Sequence, residues 1–170
     1  NKETVLLKSS IFSFDAATFG IYGAILIGGE LVLYPYRIID LQQVNQVIKE
    51  HGITTLWLTA ALFEKWIYNL EDDIKSLKYV LAGGDVLNPS VVKRIYNKYS
   101  DINIINGYGP TESTTFATTY LISKEIDFQS IPIGKPINNT QLYILDKNNT
   151  LVPKGVAGEL HISGDGLARG

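Results

Sequence analysis

The chain has 170 residues, 45% of them hydrophobic and 19% charged, with a formal net charge of -2, values that allow a sizeable core and exclude a disordered chain. A pI near 5.7 without any lysine or arginine cluster argues against a nucleic-acid partner held by phosphate neutralisation. Zero cysteines exclude a disulfide scaffold and any thiolate metal site; they fit a reducing compartment, and a cytoplasmic location is expected.

Residues 4–7 form the first strand candidate, and the segment after it leads into Asp15. Residues 16–27 are apolar nearly all round, which predicts a buried helix capped by Ser13 or Asp15 and ended by Gly28 and Gly29. The longest apolar stretch, residues 19–29, is too short and too interrupted by glycine to span a bilayer, so no membrane partner is expected. Residues 30–34 read as a strand closed by Pro35. Asp40 then opens an amphipathic helix with Leu41, Val44, Val47 and Ile48 on one face and Gly52 as its stop. Residues 53–58 are a strand, Thr59 caps a helix running to about Leu70, and residues 77–81 are a further strand leading into Gly83, Gly84 and Asp85. Asn88 and Pro89 start the next helix in the favoured N-cap and N1 arrangement, with Val91, Val92, Ile95 and Tyr96 turned inward. Residues 102–105 form the strand after it. Strands alternating with helices predict an α/β fold around a parallel sheet.

Beyond about Lys124 the helical period stops. Residues 131–133, 141–145 and 159–162 are short β segments separated by Pro136, the Lys147-Asn148-Asn149 turn and residues 153–155. The architecture is expected to change near residue 128, with residues 1–128 as α/β layers and 129–170 as a second unit. The chain begins at Asn1, has no methionine and ends within a glycine-rich stretch, so it reads as an excerpt.

Chemistry concentrates where the strand of residues 102–105 runs into Asn106-Gly107-Tyr108-Gly109-Pro110-Thr111-Glu112. Such a turn gathers its side chains at the strand's carboxyl edge, where open α/β sheets bind ligands. Asn106 donates and accepts in one plane, which suits a purine edge; Tyr108 offers a face for stacking; Thr111 can donate to a phosphate; Glu112 is a hard oxygen ligand for Mg²⁺. The alternative is an ordinary turn followed by a capped helix, with Thr111 and Glu112 in its first turn. Gly83, Gly84 and Asp85 either bring backbone N–H groups close to a nucleotide or make a tight loop, and no lysine-bearing phosphate loop of Walker type is present. Asp15 is an N-cap or a charge presented to a pocket, and the residues alone favour the cap.

Three stretches in order, Phe14-Asp15-Ala16-Ala17-Thr18-Phe19, the Gly107-Tyr108-Gly109-Pro110-Thr111-Glu112 turn and the glycine-rich run from Gly158 to Gly170, together resemble the signatures of the adenylate-forming enzymes. They are most similar to the amino-acid adenylation domains of nonribosomal peptide synthetases. The resemblance implies that the second unit starts a small β-barrel, and that an amino acid and ATP react with Mg²⁺ to give an aminoacyl-AMP. It implies transfer of the acyl group to phosphopantetheine on a carrier domain, with carrier and condensation domains as partners.

Residue by residue, the resemblance puts Asp15 on the substrate ammonium, Asn106 on the adenine amino group, Tyr108 against the ring, Thr111 on phosphate and Glu112 on the metal. Thr111 and Glu112 are its catalytic residues, and Gly83, Gly84, Asp85 and Gly107 lie along the nucleotide. The side-chain pocket would consist of Asp15, Ala16, Phe19, Trp57, Leu81, Gly83, Gly107, Thr115 and Phe116. Asp15 is the one charge in that set, so an uncharged substrate is expected, and the apolar walls look most like valine pockets. An acyl- or aryl-CoA synthetase and a non-catalytic nucleotide-binding module are the competing classes. A Gly/Ser/Thr/Lys-rich loop before Asn1, and a ribose-binding aspartate and a lysine-bearing domain after Gly170, are implied as well, so residues 1–170 alone are not expected to turn over.

Overall fold

In the computed structural model, which describes residues 3–70, 74–125 and 129–169, the alternation of strand and helix becomes a layered sheet. The first part runs β1 (Val5–Lys8), α1 (Ala16–Ile25), β2 (Glu30–Leu33), α2 (Leu41–His51), β3 (Thr55–Thr59), α3 (Ala60–Tyr68), β4 (Tyr79–Gly83), α4 (Pro89–Lys98) and β5 (Asn103–Tyr108). β6 (Thr118–Leu121), β7 (Lys135–Pro136), β8 (Thr140–Leu145) and β9 (Glu159–Gly164) follow. Among the described residues, seven strands make one sheet in the order β2-β1-β3-β4-β5-β6-β7, and β8 and β9 pair separately. The first five are parallel, as expected; β6 and β7 add antiparallel to the β5 edge.

Local chemistry sets the helix ends. The Asp40 carboxylate accepts from the N–H groups of Gln42 and Gln43, the Thr59 hydroxyl from Leu62 and the Asn88 amide oxygen from Ser90, and each satisfies a donor the helix leaves open. Gly52 ends α2 at φ 60, the left-handed conformation that glycine adopts without penalty.

Leu7, Leu56, Val80 and Ile104 are in register across four strands and form one face of the sheet, against which α2, α3 and α4 pack Val44, Ile48, Phe63, Trp66, Val92 and Ile95. Each such side chain contributes about 1.5 to 3 kcal/mol by leaving water. Inside this core the Trp66 indole N–H donates to Asn45 Oδ1 at 2.7 Å. The Tyr96 hydroxyl ties α4 to the sheet by donating to the Ile122 carbonyl at 2.8 Å and accepting from Ile104 N–H at 3.3 Å. Burial raises the Tyr96 pKa, and the Ile104 bond opposes that shift.

The opposite face carries Leu6, Trp57, Leu81 and Ile105. Here α1 lies over β1 and β2, and it is not buried all round as expected. Ala16, Ala17, Gly20 and Ala24 face inward, whereas Tyr22 and Ile25 are more than half exposed. Its small inward residues let it sit close to the strands, with Gly20 against the Lys8 side chain.

Further expectations are corrected. β5 runs through Gly107 to Tyr108, so the turn starts later than the glycines suggest, because the Gly107 backbone pairs with both Gly83 and Thr119. Residues 131–133 are not a strand; the pairing falls on Lys135–Pro136, at an edge where a proline without N–H is tolerated. The boundary expected at residue 128 lies on residues 126–128, outside the described residues, and the change of sheet falls between Pro136 and Thr140.

Candidate functional site

The five parallel strands end along one edge, and a cavity of about 620 Å³ opens there. Each strand end supplies part of it: Asp15 and Ala16 after β1, Arg37 after β2, Trp57 and Thr59 from β3, Gly84 after β4, and Gly107 and Thr111 from the end of β5 and the turn beyond. Thr115 and Phe116 complete the wall. A crevice at the carboxyl ends of parallel strands is where this architecture places ligands.

Asp15 is the best-anchored group in the cavity. It occupies the N-cap position of α1, yet its Oδ1 accepts from the N–H of Ala16 at 2.6 Å rather than from a later residue. The next two N–H groups, of Ala17 and Thr18, already donate to the carbonyls of Phe14 and Asp15. Oδ2 is therefore free of the helix, and the Thr111 hydroxyl donates to it at 2.8 Å across 96 residues of sequence. The Thr115 hydroxyl donates to the Asp15 carbonyl at 2.7 Å. Cap and cavity-facing charge, posed as alternatives, are both satisfied by this one carboxylate.

The turn that supplies these donors is strained. Residues Thr111–Ser113 form a single 3-10 turn without a side-chain cap, which corrects the alternative of an ordinary capped helix. Thr114 and Thr115 follow at φ 60 and 74, an uncommon region for β-branched residues. Hydrogen bonds pin this segment: the Thr114 hydroxyl donates to the Gly166 carbonyl at 2.6 Å, and Ala168 N–H donates to the carbonyl of Glu112, just before the positive-φ pair, at 2.7 Å. All three sequence motifs thus converge, the first through Asp15 and the third through Gly166 and Ala168.

Not every expected residue reaches the cavity. Phe19 stands behind Phe116, edge-on, with ring centroids 5.5 Å apart. Leu81 and Gly83 are buried in β4 and do not line it. Gly83 instead allows β4 to approach β5, since a Cβ there would lie 2.0 Å from the Gly107 carbonyl oxygen. Asp85 accepts from Val86 N–H and borders a smaller cavity of about 150 Å³ beside α3. Asn106 alternates with Gly107 along β5, so the two face opposite sides of the sheet. Its amide nitrogen donates to the Pro132 carbonyl at 2.9 Å, which leaves the oxygen as its open acceptor. Tyr108 and Glu112 are exposed beside the cavity rather than in its wall.

Arg37 was not anticipated. It lines the cavity and has no hydrogen-bond or ion-pair partner among the described residues, so Asp15 is not the only charge there. Its position just after β2, at the carboxyl edge of a parallel strand, was the available signal. Lys8, at the end of β1, is buried with its ammonium 3.7 Å from the centre of the Phe12 ring. Its amine also donates to the Ser10 carbonyl, and burial lowers its pKa.

The donor set can be tested against Mg²⁺. Among the described residues there is no cluster of three or more acidic or His side chains, but the exposed Glu112 carboxylate is unpaired, with its backbone pinned by Ala168. One free carboxylate fits a cation that takes its other ligands from nucleotide phosphates and water.

The match to known proteins extends over the whole chain: residues 1–170 fit the AMP-binding enzyme family. The chain belongs to this family. Tyrocidine synthase 3 of Brevibacillus parabrevis is 42% identical to this AMP-binding chain over 97% of its length and 2% of the synthase. Gramicidin S synthase 2 of Brevibacillus brevis is 40% identical over 97% of the chain and 4% of the synthase. Among solved structures, PA1221, an NRPS protein containing adenylation and PCP domains, superimposes with a TM-score of 0.91 at 37% identity, over 99% of this chain and 34% of its own. The Klebsiella oxytoca NpsA N-terminal subdomain in complex with 3-hydroxybenzoyl-AMSN gives a TM-score of 0.86 at 25% identity, over 98% of this chain and 43% of its own. The AMP-binding chain therefore spans about a third of the PA1221 chain and a few per cent of the synthases. Its relatives are nonribosomal peptide synthetases and their adenylation domains, as the three motifs led one to expect.

Proposed function

We propose that this chain is the substrate-facing part of an adenylation domain that activates an amino acid with ATP for nonribosomal peptide synthesis. The observation that carries the reading is the Asp15 carboxylate, held by Ala16 and Thr111 in the wall of a cavity shared with the Gly107 to Thr111 segment. A fixed anion beside a phosphate-donor turn suits a ligand with an ammonium near its reacting carboxylate. In the proposed reaction a carboxylate oxygen of the amino acid attacks the α-phosphorus of ATP and pyrophosphate leaves. Asp15 orients the ammonium, Thr111 donates to a phosphate oxygen, the Asn106 oxygen accepts from the adenine amino group, and Tyr108 stacks on the ring. Glu112 would hold Mg²⁺, which would offset phosphate charge when bound.

The substrate side chain is proposed to be a small branched aliphatic, valine first, because the rings of Trp57 and Phe116 line the cavity together with Gly107, which has no side chain to fill it. One methylene is worth about 1 to 3 kcal/mol in such a pocket, so isoleucine and leucine are the nearest competitors. A second reading, an acidic side chain paired with Arg37, is favoured by the unpartnered guanidinium in the same cavity. An aryl-acid activator resembling the NpsA complex is the further alternative, and it would give Asp15 no ammonium to bind. Carrier and condensation domains, phosphopantetheine as acyl acceptor, a cytoplasmic location and a β-barrel subdomain begun by β8 and β9 belong to the same proposal.

The test is amino-acid-dependent pyrophosphate exchange by the full-length protein across a panel of aliphatic, acidic, aromatic and aryl-acid substrates. Preference for valine supports the first reading. Preference for aspartate or glutamate selects the Arg37 reading, and activity only with an aryl acid overturns amino-acid activation.

A further inference from the structure

A threonine hydroxyl carries one proton and donates to one acceptor at a time. In this structure Thr111 gives that proton to Asp15 Oδ2 at 2.8 Å, yet the proposed reaction needs the same hydroxyl on a phosphate oxygen. Two anions therefore compete for one donor. The outcome depends on the charge Asp15 presents: unneutralised, it is a strong acceptor, and an ammonium bound to it weakens its hold on the Thr111 proton.

The surroundings let the hydroxyl turn without moving Asp15. Thr111 is exposed and sits in a 3-10 turn with no side-chain cap, so a χ1 rotation changes its acceptor with the backbone in place. Asp15 stays anchored by two other bonds, Ala16 N–H on Oδ1 at 2.6 Å and the Thr115 hydroxyl on its carbonyl at 2.7 Å.

We propose that the Thr111 hydroxyl is a shared donor that couples the two substrates: it holds Asp15 before an amino acid binds and passes to the nucleotide phosphate when an ammonium occupies Asp15. The proton stays on Oγ1 throughout, and only its acceptor changes. The inference rests on the adenylation reading and adds an order to it. The amino acid tightens ATP, and by linkage ATP tightens the amino acid by the same factor.

The experiment measures the ATP dissociation constant of the full-length protein by calorimetry, with and without valinol, or the amino alcohol of whichever amino acid supports exchange. The amino alcohol keeps the ammonium but has no carboxylate to adenylate. The expected result is that it tightens ATP about 3- to 10-fold, the size of one net hydrogen bond, in the parent and in Thr111→Ser. The effect should fall below about 2-fold in Thr111→Val and in Asp15→Asn, which lose the donor and the charged acceptor respectively. Retained coupling in a folded Thr111→Val, or in Asp15→Asn should the valine variant not fold, overturns the shared donor. So does absence of coupling in a parent that exchanges pyrophosphate, and in both cases the adenylation reading stands. A folded parent that neither binds ATP nor exchanges pyrophosphate overturns both.

Discussion

Gly83 and Gly107 are paired in register on β4 and β5, and a methyl group added to each should have opposite kinds of consequence. A Cβ at Gly83 would lie 2.0 Å from the Gly107 carbonyl oxygen and 3.1 Å from its carbon. That neighbour is backbone, already paired on both sides, so relief requires β4 and β5 to separate by more than about 1 Å. Overpacking costs about 1 to 3 kcal/mol where side chains can adjust, and Gly83→Ala should sit at or beyond the top of that range. A Cβ at Gly107 would instead meet the edge of the Phe116 ring, a side chain and not backbone, at 2.5 Å from Cε1 and 2.8 Å from Cδ1. The ring can swing, since it is only half buried and meets Phe19 edge-on at 68°. Gly107→Ala should therefore cost about 1 kcal/mol of stability and change the shape of the cavity. Discrimination between amino acids differing by one methylene should then shift by about 1 to 3 kcal/mol, or roughly 10- to 200-fold in kcat/KM. Urea midpoints of both variants, with pyrophosphate exchange by the full-length protein, measure the two effects. A Gly83→Ala variant as stable as the parent, or a Gly107→Ala variant with an unchanged substrate ranking, would refute the steric reasoning.

Three other variants follow from the same geometry. Glu112→Gln keeps the Ala168 bond, which uses the backbone, and should lower exchange in the full-length protein roughly 100-fold, a few kcal/mol, with an unchanged melting curve; equal exchange would remove Glu112 from the metal site. Asn45→Leu strands the buried Trp66 N–H and should cost about 1 to 3 kcal/mol in urea; an unchanged urea midpoint would show that the bond carries no stability. Burial lowers the Lys8 pKa below its ordinary 10.5, so between the folded value and 10.5 the unfolded chain holds more protons and stability should rise with pH. Lys8→Met should flatten that rise, and a slope identical to the parent's would assign it to other groups.

Much of the first half of the fold is written locally. Asp40, Thr59 and Asn88 cap their helices because each side chain satisfies an N–H two or three residues away, and Gly52 stops α2 because its own backbone tolerates positive φ. Such signals need nothing distant, so they are legible along the chain. β6 was missed because Thr118–Leu121 has no turn residues to bracket it and becomes a strand only by pairing with the β5 edge. Pro136 read as a separator because a missing N–H is fatal in a central strand, and only its place at the sheet edge makes it tolerable.

The same division runs through the site. The residue types of the three motifs, and their order, are properties of the sequence, and they were sufficient to point to an AMP-binding enzyme. Which of those residues meet is a property of the sheet. Asp15 and Thr111 are 96 positions apart and touch because the parallel strands β1 and β5 end on the same edge. Asn106 and Gly107 are adjacent and part company because side chains alternate across a strand. Arg37 reaches the cavity only because β2 lies parallel and outermost beside β1, an arrangement no short-range pattern encodes. Caps and periods depend on a few neighbouring residues, while strand order, face and edge depend on contacts between segments that the linear chain keeps far apart.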